Sequence, residues 1–404
     1  MMNNLFCLRL YLTAFCLVVI SSSACEDKAV EDAQVTGDRH AQRIDITSPL
    51  LDQKWSQYLS IREVIPLETS ASSSLQGISE VLLIGNRFYV AHYPSATIKV
   101  FSREGDFLYD IGKLGKGPGE FLYMMGISYV PEKQLLKVFC STKIVTFNLD
   151  GKFLSEAMMP FYPYRFEAMG LDRYVFYMAN NNYVGEITEN DNLIVTDRDF
   201  NVITKGLPFE GDGPAFRMSG HVCPSSEGVL AHNSFSDNVY EYDVETDELY
   251  IKYKLDFAVD REDLPTDHPE LLRIRGEEGF LRSPLYEDEK IFSFRYIYQE
   301  ESHGAVWLRE QKVLLNGKSF SPGILSHYLF PPAGQTEDGI PIAAIVPSEY
   351  YSNIPNDDPD FLPFLQENYP QLYEVSKDLD GSENPILVLY EIHPEAAANV
   401  LNQK

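Results

Sequence analysis

The sequence is short of positive charge. Thirty-three Lys and Arg stand against 60 Asp and Glu in 404 residues, a formal net charge of −27. Nucleic-acid binding needs clustered cations that displace counterions from phosphates, and docking on anionic lipid needs basic patches, so the composition argues against both partners. Cysteine is scarce too. Of five, Cys7 and Cys16 lie in an N-terminal apolar segment and Cys25 just after it, leaving only Cys140 and Cys223 in the body. A chain this large needs no disulfide staple, and the pair reads equally as a bond or as two buried thiols. The apolar segment Leu10–Ile20 is shorter than the ~20 residues that cross a bilayer. Catalytic signatures are missing as well: there is no HExxH, CxxC or GxSxG. The glycine-rich run Gly112–Gly119 lacks the Lys-Ser/Thr ending of a phosphate loop and reads as a turn around Pro118-Gly119. No cofactor or metal is expected.

Apolar mass is plentiful. Hydrophobic residues make up 44 %, with 25 Tyr and 24 Phe, enough for a large core. Arg9, the Leu10–Ile20 run and the small residues Ser21 to Ala24 have the anatomy of an export signal. The site around Cys25 resembles a bacterial lipoprotein lipobox, with Ser22 where that pattern usually has leucine. The resemblance implies cleavage before Cys25, its lipidation, and attachment to a membrane through acyl chains alone. The acidic stretch Glu26, Asp27, Glu31 and Asp32 resembles the surface-export signal of Bacteroidetes lipoproteins, and reads equally as a solvated linker. The expected organisation is a signal peptide over 1–24, a lipidated tether over 25–42 and one folded domain over 43–404.

That domain repeats. Residues 98–112 (IKVFSREGDFLYDIG) and 144–158 (IVTFNLDGKFLSEAM) share a strand, a tight turn with glycine and a second strand. Weaker copies start at Leu193 and Val239, so the unit recurs every 46 to 49 residues. Two more short apolar runs precede each of the first three hairpins. Four strands per ~45 residues is the period of a β-propeller blade, and a β-sandwich does not predict such a fixed recurrence. Blades are expected near 78–112, 125–158, 168–207, 218–257, 288–325 and 338–395. Arg261–Gly276 reads as helical, and Asp360–Asp380 as a short helix broken by prolines. A spare strand at Tyr58–Leu67 is expected to pair with Ile386–Ile392 and close the ring.

The run FSREGDFLYDIGKLGKGPGEF (101–121), with VIPLETS (64–70), SDNVYEYD (236–243) and NPILVLYEI (384–392), resembles the six-bladed β-propeller lipoproteins of Bacteroidetes. The resemblance covers most of 60–395 and implies an all-β, TolB/NHL-like six-bladed ring on a lipid anchor. It implies no settled activity.

Ligands of propellers bind where the loops between second and third strands meet the loops between blades. The strand assignment puts His92, Tyr93, Asn180, Asn181, His232 and Asn233 in the first loop set. It puts Lys113, Lys116, Tyr162, Tyr164, Arg165 and Arg217 in the second. Flat aromatics, amides and a few cations in an acidic protein suit a glycan, a peptide or another small ligand. His221 and Cys223 alternate on one strand and with His232 would make three metal ligands, but buried strand residues are the plainer reading. Asp378, Asp380 and Glu383 read as a turn rather than a calcium loop. The sequence therefore favours a cell-envelope binding protein, periplasmic or surface-facing, for a small molecule, glycan, peptide or envelope protein. The alternative is a propeller hydrolase, lactonase-like or carbohydrate-active, using carboxylates and amides at the central tunnel.

Overall fold

The computed structural model describes residues 41–47 and 58–395, apart from 76, 94, 171, 181–189, 210–220, 234–235, 259–276, 319–328, 337, 348–360 and 378–380. Cys25 with the signal segment, Asn181, Arg217, Arg261–Gly276 and the Asp378–Asp380 turn lie outside the described residues.

Within them the chain is all-β. β1 (Gln42–Asp45) and β2 (Leu59–Pro66) come first. A first group follows: β3 (Glu80–Ile84), β4 (Arg87–Ala91), β5 (Ile98–Ser102) and β6 (Phe107–Ile111). The second is β7 (Gly126–Val130), β8 (Leu135–Cys140), β9 (Lys143–Asn148) and β10 (Phe153–Met158). The third is β11 (Arg165–Met169), β12 (Arg173–Tyr177), β13 (Asp191–Asp197) and β14 (Val202–Pro208). The fourth is β15 (His221–Pro224), β16 (Gly228–His232), β17 (Asn238–Asp243) and β18 (Glu248–Asp256). The fifth is β19 (Phe280–Glu287), β20 (Ile291–Tyr298), β21 (Glu301–Leu308) and β22 (Val313–Lys318). The last holds β23 (Gly334–Thr336), β24 (Pro341–Ile345), two helices, α1 (Phe361–Asn368) and α2 (Pro370–Ser376), and β25 (Ile386–Ile392).

Each group is an antiparallel meander. Groups two to five form separate sheets, and β1 adds a parallel fifth strand outside β18. The remaining sheet has eight strands in the order β2-β25-β24-β23-β3-β4-β5-β6. It divides at the parallel join of β23 to β3 into the first group and a last group completed by β2. β2 runs antiparallel to β25, Leu59 opposite Ile392 and Pro66 opposite Ile386, which is the closure expected from the sequence. The expected boundaries shift at several inner strands. The third group starts at Arg165 rather than 168, the fifth at Phe280 rather than 288, and the last at Gly334 rather than 338.

Turn chemistry explains the repeat. Gly105 and Gly151 have φ of +96° and +80°, and their N–H groups donate to Ser102 and Asn148 carbonyls. A side chain at Gly105 would put its Cβ 2.3 Å from the Pro66 carbonyl oxygen. In the third copy the same position is Phe200, at φ +66°. Left-handed backbone costs a non-glycine residue ~1–2 kcal/mol, and the ring recovers some of it by stacking on Tyr174 at 5.7 Å.

The core lies between neighbouring groups as six apolar clusters. Val138 and Leu136 pack with Tyr89 and Val100 between the first and second groups. Phe139 packs with Phe166 and Phe176 between the second and third. Val195 meets Val229 and Tyr242, and Tyr253 stacks on Phe292 at 4.2 Å. Val306 and Leu308 pack with Val388 and Tyr390, joined by Leu365 of α1 and Leu372 of α2. Leu387 and Leu389 then pack with Phe88 and Val90, bringing the last group onto the first. Cys140 and Cys223 are buried free thiols. Burial pushes the Cys140 thiol up to about 12 and the Cys223 thiol well above its ordinary value, which makes both unreactive.

Candidate functional site

The first strands of the groups, β3, β7, β11, β15, β19 and β23, all contribute to the wall of one cavity of about 480 Å³. Its polar lining includes Glu80, Arg165, Glu167, His221, Glu287 and Gln335. His92 and Tyr93 reach it from the loop after β4, so of the residues singled out in the sequence, His92, Tyr93 and Arg165 meet here.

Tyr93 and Arg165 are held by aromatic and carboxyl partners. The Arg165 guanidinium lies 4.4 Å from the Tyr164 ring centroid and 5.1 Å from that of Tyr93. Its Nη1 donates to the Tyr164 carbonyl at 3.1 Å. The Tyr93 hydroxyl donates to Glu80 Oε2 at 2.7 Å, and the Ile127 N–H donates to the same oxygen at 3.3 Å. Two polar atoms of the lining are buried without a hydrogen-bond partner among the described residues: Arg165 Nε and His221 Nδ1.

Burial is the largest influence on the titratable groups Glu80, Glu167 and His221 of this cavity. Burial raises the Glu80 carboxyl to about 7, against the lowering influence of Tyr93, the Ile127 N–H and Arg165. Burial, with the charge of Glu80, raises Glu167 well above the carboxylate range. The same desolvation, helped by Arg165 and His232, lowers His221 to about 3, so its imidazole is neutral at ordinary pH. The cavity therefore presents two arginines, Arg165 and Arg295, a neutral imidazole at His221, two carboxyls that resist ionisation, and Glu287 of the neighbouring ion network.

Other expected residues lie elsewhere. Lys113 is paired with Glu120 at 2.8 Å, and Glu120 also accepts the Gly117 N–H at 3.0 Å. The Gly112–Gly119 run is thus a turn closed on its own glutamate, with Lys116 exposed. His232 is fully buried and Nε2 donates to the Ser236 carbonyl at 3.1 Å. Asn180 and Asn233 are linked through Asn192, whose Nδ2 donates to both side-chain oxygens at 2.7 Å. Tyr162 and Tyr164 line a separate groove of about 260 Å³ with Tyr123, Met125, Ser141 and Met178. Among the described residues no three His, Cys, Asp or Glu side chains converge as metal ligands.

Sequence reasoning passed over a second set of buried charges. Lys252 Nζ sits 2.7 Å from both Glu241 Oε1 and Glu287 Oε1, and both glutamates are essentially inaccessible. Tyr253 donates to Glu287 at 2.7 Å, Tyr250 and Ser225 donate to Glu241, and Arg309 approaches Glu287 at 3.5 Å. Lys252 and Arg309 thus serve Glu241 and Glu287, and Lys252 also approaches the exposed Glu227 at 3.8 Å. Ser225, Ser226 and Glu287 also border another cavity of about 520 Å³, lined further by Arg62, Asp288 and Lys290.

No curated protein matches the chain. Among solved structures it is similar to a Bacteroides fragilis protein provisionally named as exported. That match has 16 % identity over 87 % of this chain and 99 % of the other, at a TM-score of 0.66. It also matches a DUF4221-family member from Bacteroides vulgatus, with 9 % identity over 83 % of this chain and 99 % of the other, at a TM-score of 0.48. The family described as "Domain of unknown function (DUF4934)" matches residues 41–391, nearly all of the described fold, and the chain belongs to that family.

Proposed function

We propose that the chain is an exported, lipid-anchored six-bladed β-propeller that holds a ligand at its axis without transforming it. The six strand groups are its blades, in the manner of TolB- and NHL-like rings, with β2 completing the sixth. Residues 1–24 are the signal peptide, and the tether from Cys25 runs up to β1. The likeness to a Bacteroides fragilis protein provisionally named as exported supports the extracytoplasmic address. The observation that carries the binding role is the axial cavity. Six sequence-distant strands build it, and it holds buried polar atoms, Arg165 Nε and His221 Nδ1, that a ligand would satisfy.

The test is a thermal-shift and calorimetric screen of the wild-type protein against sugars, peptides and organic acids. A hit should lose at least tenfold in affinity on Arg165→Ala, since hydrogen bonds to a charged group contribute ~1.5–3 kcal/mol. Equal binding by the variant would place the ligand elsewhere. The anchor is tested separately: Cys25→Ala should move the protein from the membrane to the soluble fraction, and continued membrane partition would refute lipidation.

Glu80 and Glu167 favour one second reading, a hydrolase, because a carboxyl held partly protonated near neutrality is suited to general acid catalysis. Turnover of a glycan or lactone that disappears in both Glu80→Gln and Glu167→Gln would establish it over simple binding.

A further inference from the structure

Among the described residues, all the strongly exposed large hydrophobic side chains fall between 108 and 162. Two of them, Tyr123 (44 % exposed) and Tyr162 (52 %), stand on the groove between the second and third strand groups. The floor of that groove comes from Met125, Tyr164 and Met178. Soluble proteins seldom concentrate apolar surface in one sector without a use for it.

The groove and the axial cavity are neighbours. Met125 lines both. Tyr164, in the groove wall, carries on its ring the guanidinium of Arg165, which lines the cavity and faces Tyr93 beyond. A stack of tyrosine, arginine and tyrosine is therefore the partition between them. A ligand seated at the axis and longer than the cavity meets this partition and then the tyrosines.

The chemistry of the groove selects the ligand. Its walls offer aromatic faces edged by hydroxyls, from Tyr123, Tyr162, Tyr164 and Ser141, and among the described residues no charged side chain. A pyranose has the complementary form: a flat C–H face for the ring and a rim of hydroxyls for the polar edge. A proline-rich peptide can also use an aromatic-lined groove, but the hydroxyl rim of three tyrosines and Ser141 favours the sugar.

We infer that the Tyr123–Tyr162–Tyr164 groove is a sugar-stacking subsite adjoining the axial cavity across that stack, so that the ligand is an oligosaccharide of more than one residue. This rests on the axial reading above, and the experiment separates the two. Full-length protein is titrated calorimetrically with β-1,4- and α-1,4-linked gluco-oligosaccharides and N-acetylglucosamine oligomers of one to six residues. Affinity should rise with length by about tenfold from one to three residues, the gain of one or two ring stacks. The double variant Tyr123→Ala/Tyr162→Ala should abolish that rise, and Tyr162→Phe should keep it. Both tyrosines are exposed, so an unchanged melting temperature verifies that the fold is intact.

Arg165→Ala should weaken every length alike. Length-independent binding that is lost in Arg165→Ala but indifferent to the tyrosines overturns the groove and leaves the axial site. Binding lost with the tyrosines but unaffected by Arg165→Ala overturns the axial reading and the link between groove and cavity. No binding by any of these sugars, or binding of an extended peptide instead, overturns the carbohydrate assignment.

Discussion

Two pairs of buried glutamates behave in opposite ways. Glu241 and Glu287 are inaccessible, and each has a lysine at 2.7 Å and hydroxyl donors around it. Glu80 and Glu167 share a cavity wall with the stacked Arg165, with Arg295 and with a neutral histidine, and burial pushes their carboxyls upward. A carboxylate taken from water must be repaid by cations and donors or it gives up its charge. The first pair is repaid inside the protein and cements the fourth group to the fifth. The second is left partly unpaid, at the place where the protein is open to a ligand. The number of close partners thus separates the two pairs, although Glu287 of the first pair also lines the axial cavity.

The comparison breaks most visibly at Lys252. Lys252→Met strands two inaccessible glutamates, and unfolding should become easier by ~3–5 kcal/mol. Chemical denaturation measures this, and a loss below ~1 kcal/mol would mean that the network is no more than a surface pair. The next effect is in the pH profile. Glu80 has its folded value raised from 4.5 to about 7, so the folded state holds the proton more tightly than the unfolded one. Stability should then be fully present below pH ~4.5 and be lost as pH rises toward ~7, by on the order of 2 kcal/mol. Glu80→Gln should flatten that slope, whereas Glu80 would be an ordinary paired carboxylate if the variant kept it. The smallest effect is expected at His221. Among the described residues its Nδ1 has no hydrogen-bond partner to lose, so His221→Leu should change stability by less than ~1 kcal/mol and show its consequence only in ligand affinity. A larger destabilisation would assign His221 to the scaffold.

The same distinction explains what was legible in the sequence. The outer hairpins announced themselves because alternation and a turn glycine, as at Gly105 and Gly151, are local signals. The pairing of β2 with β25 was readable because both strands are apolar and a ring needs an edge strand. The inner strands were harder. β11 reads RFEAM and β19 reads FLRSPLYE, with charged residues and a proline where a buried strand should show alternation. Arg165 and Glu167 of β11 and Glu287 of β19 line a cavity that exists only when all six groups converge. His92 and Tyr93 could be placed by loop position and composition, whereas Arg165, expected in a loop between blades, opens strand β11. Glu80 and Glu167 could not, because in sequence they resemble any other acid among 60. Lys252 was invisible for a similar reason: its glutamates lie 11 and 35 residues away, on other strands.

The closure of β2 on β25 also sets the order of assembly. Ser60 and His393 touch across 333 residues of chain. Every other group can form from a contiguous stretch as it emerges, but the last one has to wait for the final strand. Such a separation costs little extra in loop entropy, which grows only with the logarithm of length, yet it delays the step that completes the fold. Until then β2 is a strand without a partner, and the last group leaves its edge open. A chain of this design is finished by its tail, so a truncation of a few dozen C-terminal residues would leave an unsealed ring with an exposed, adhesive edge rather than a slightly shorter protein.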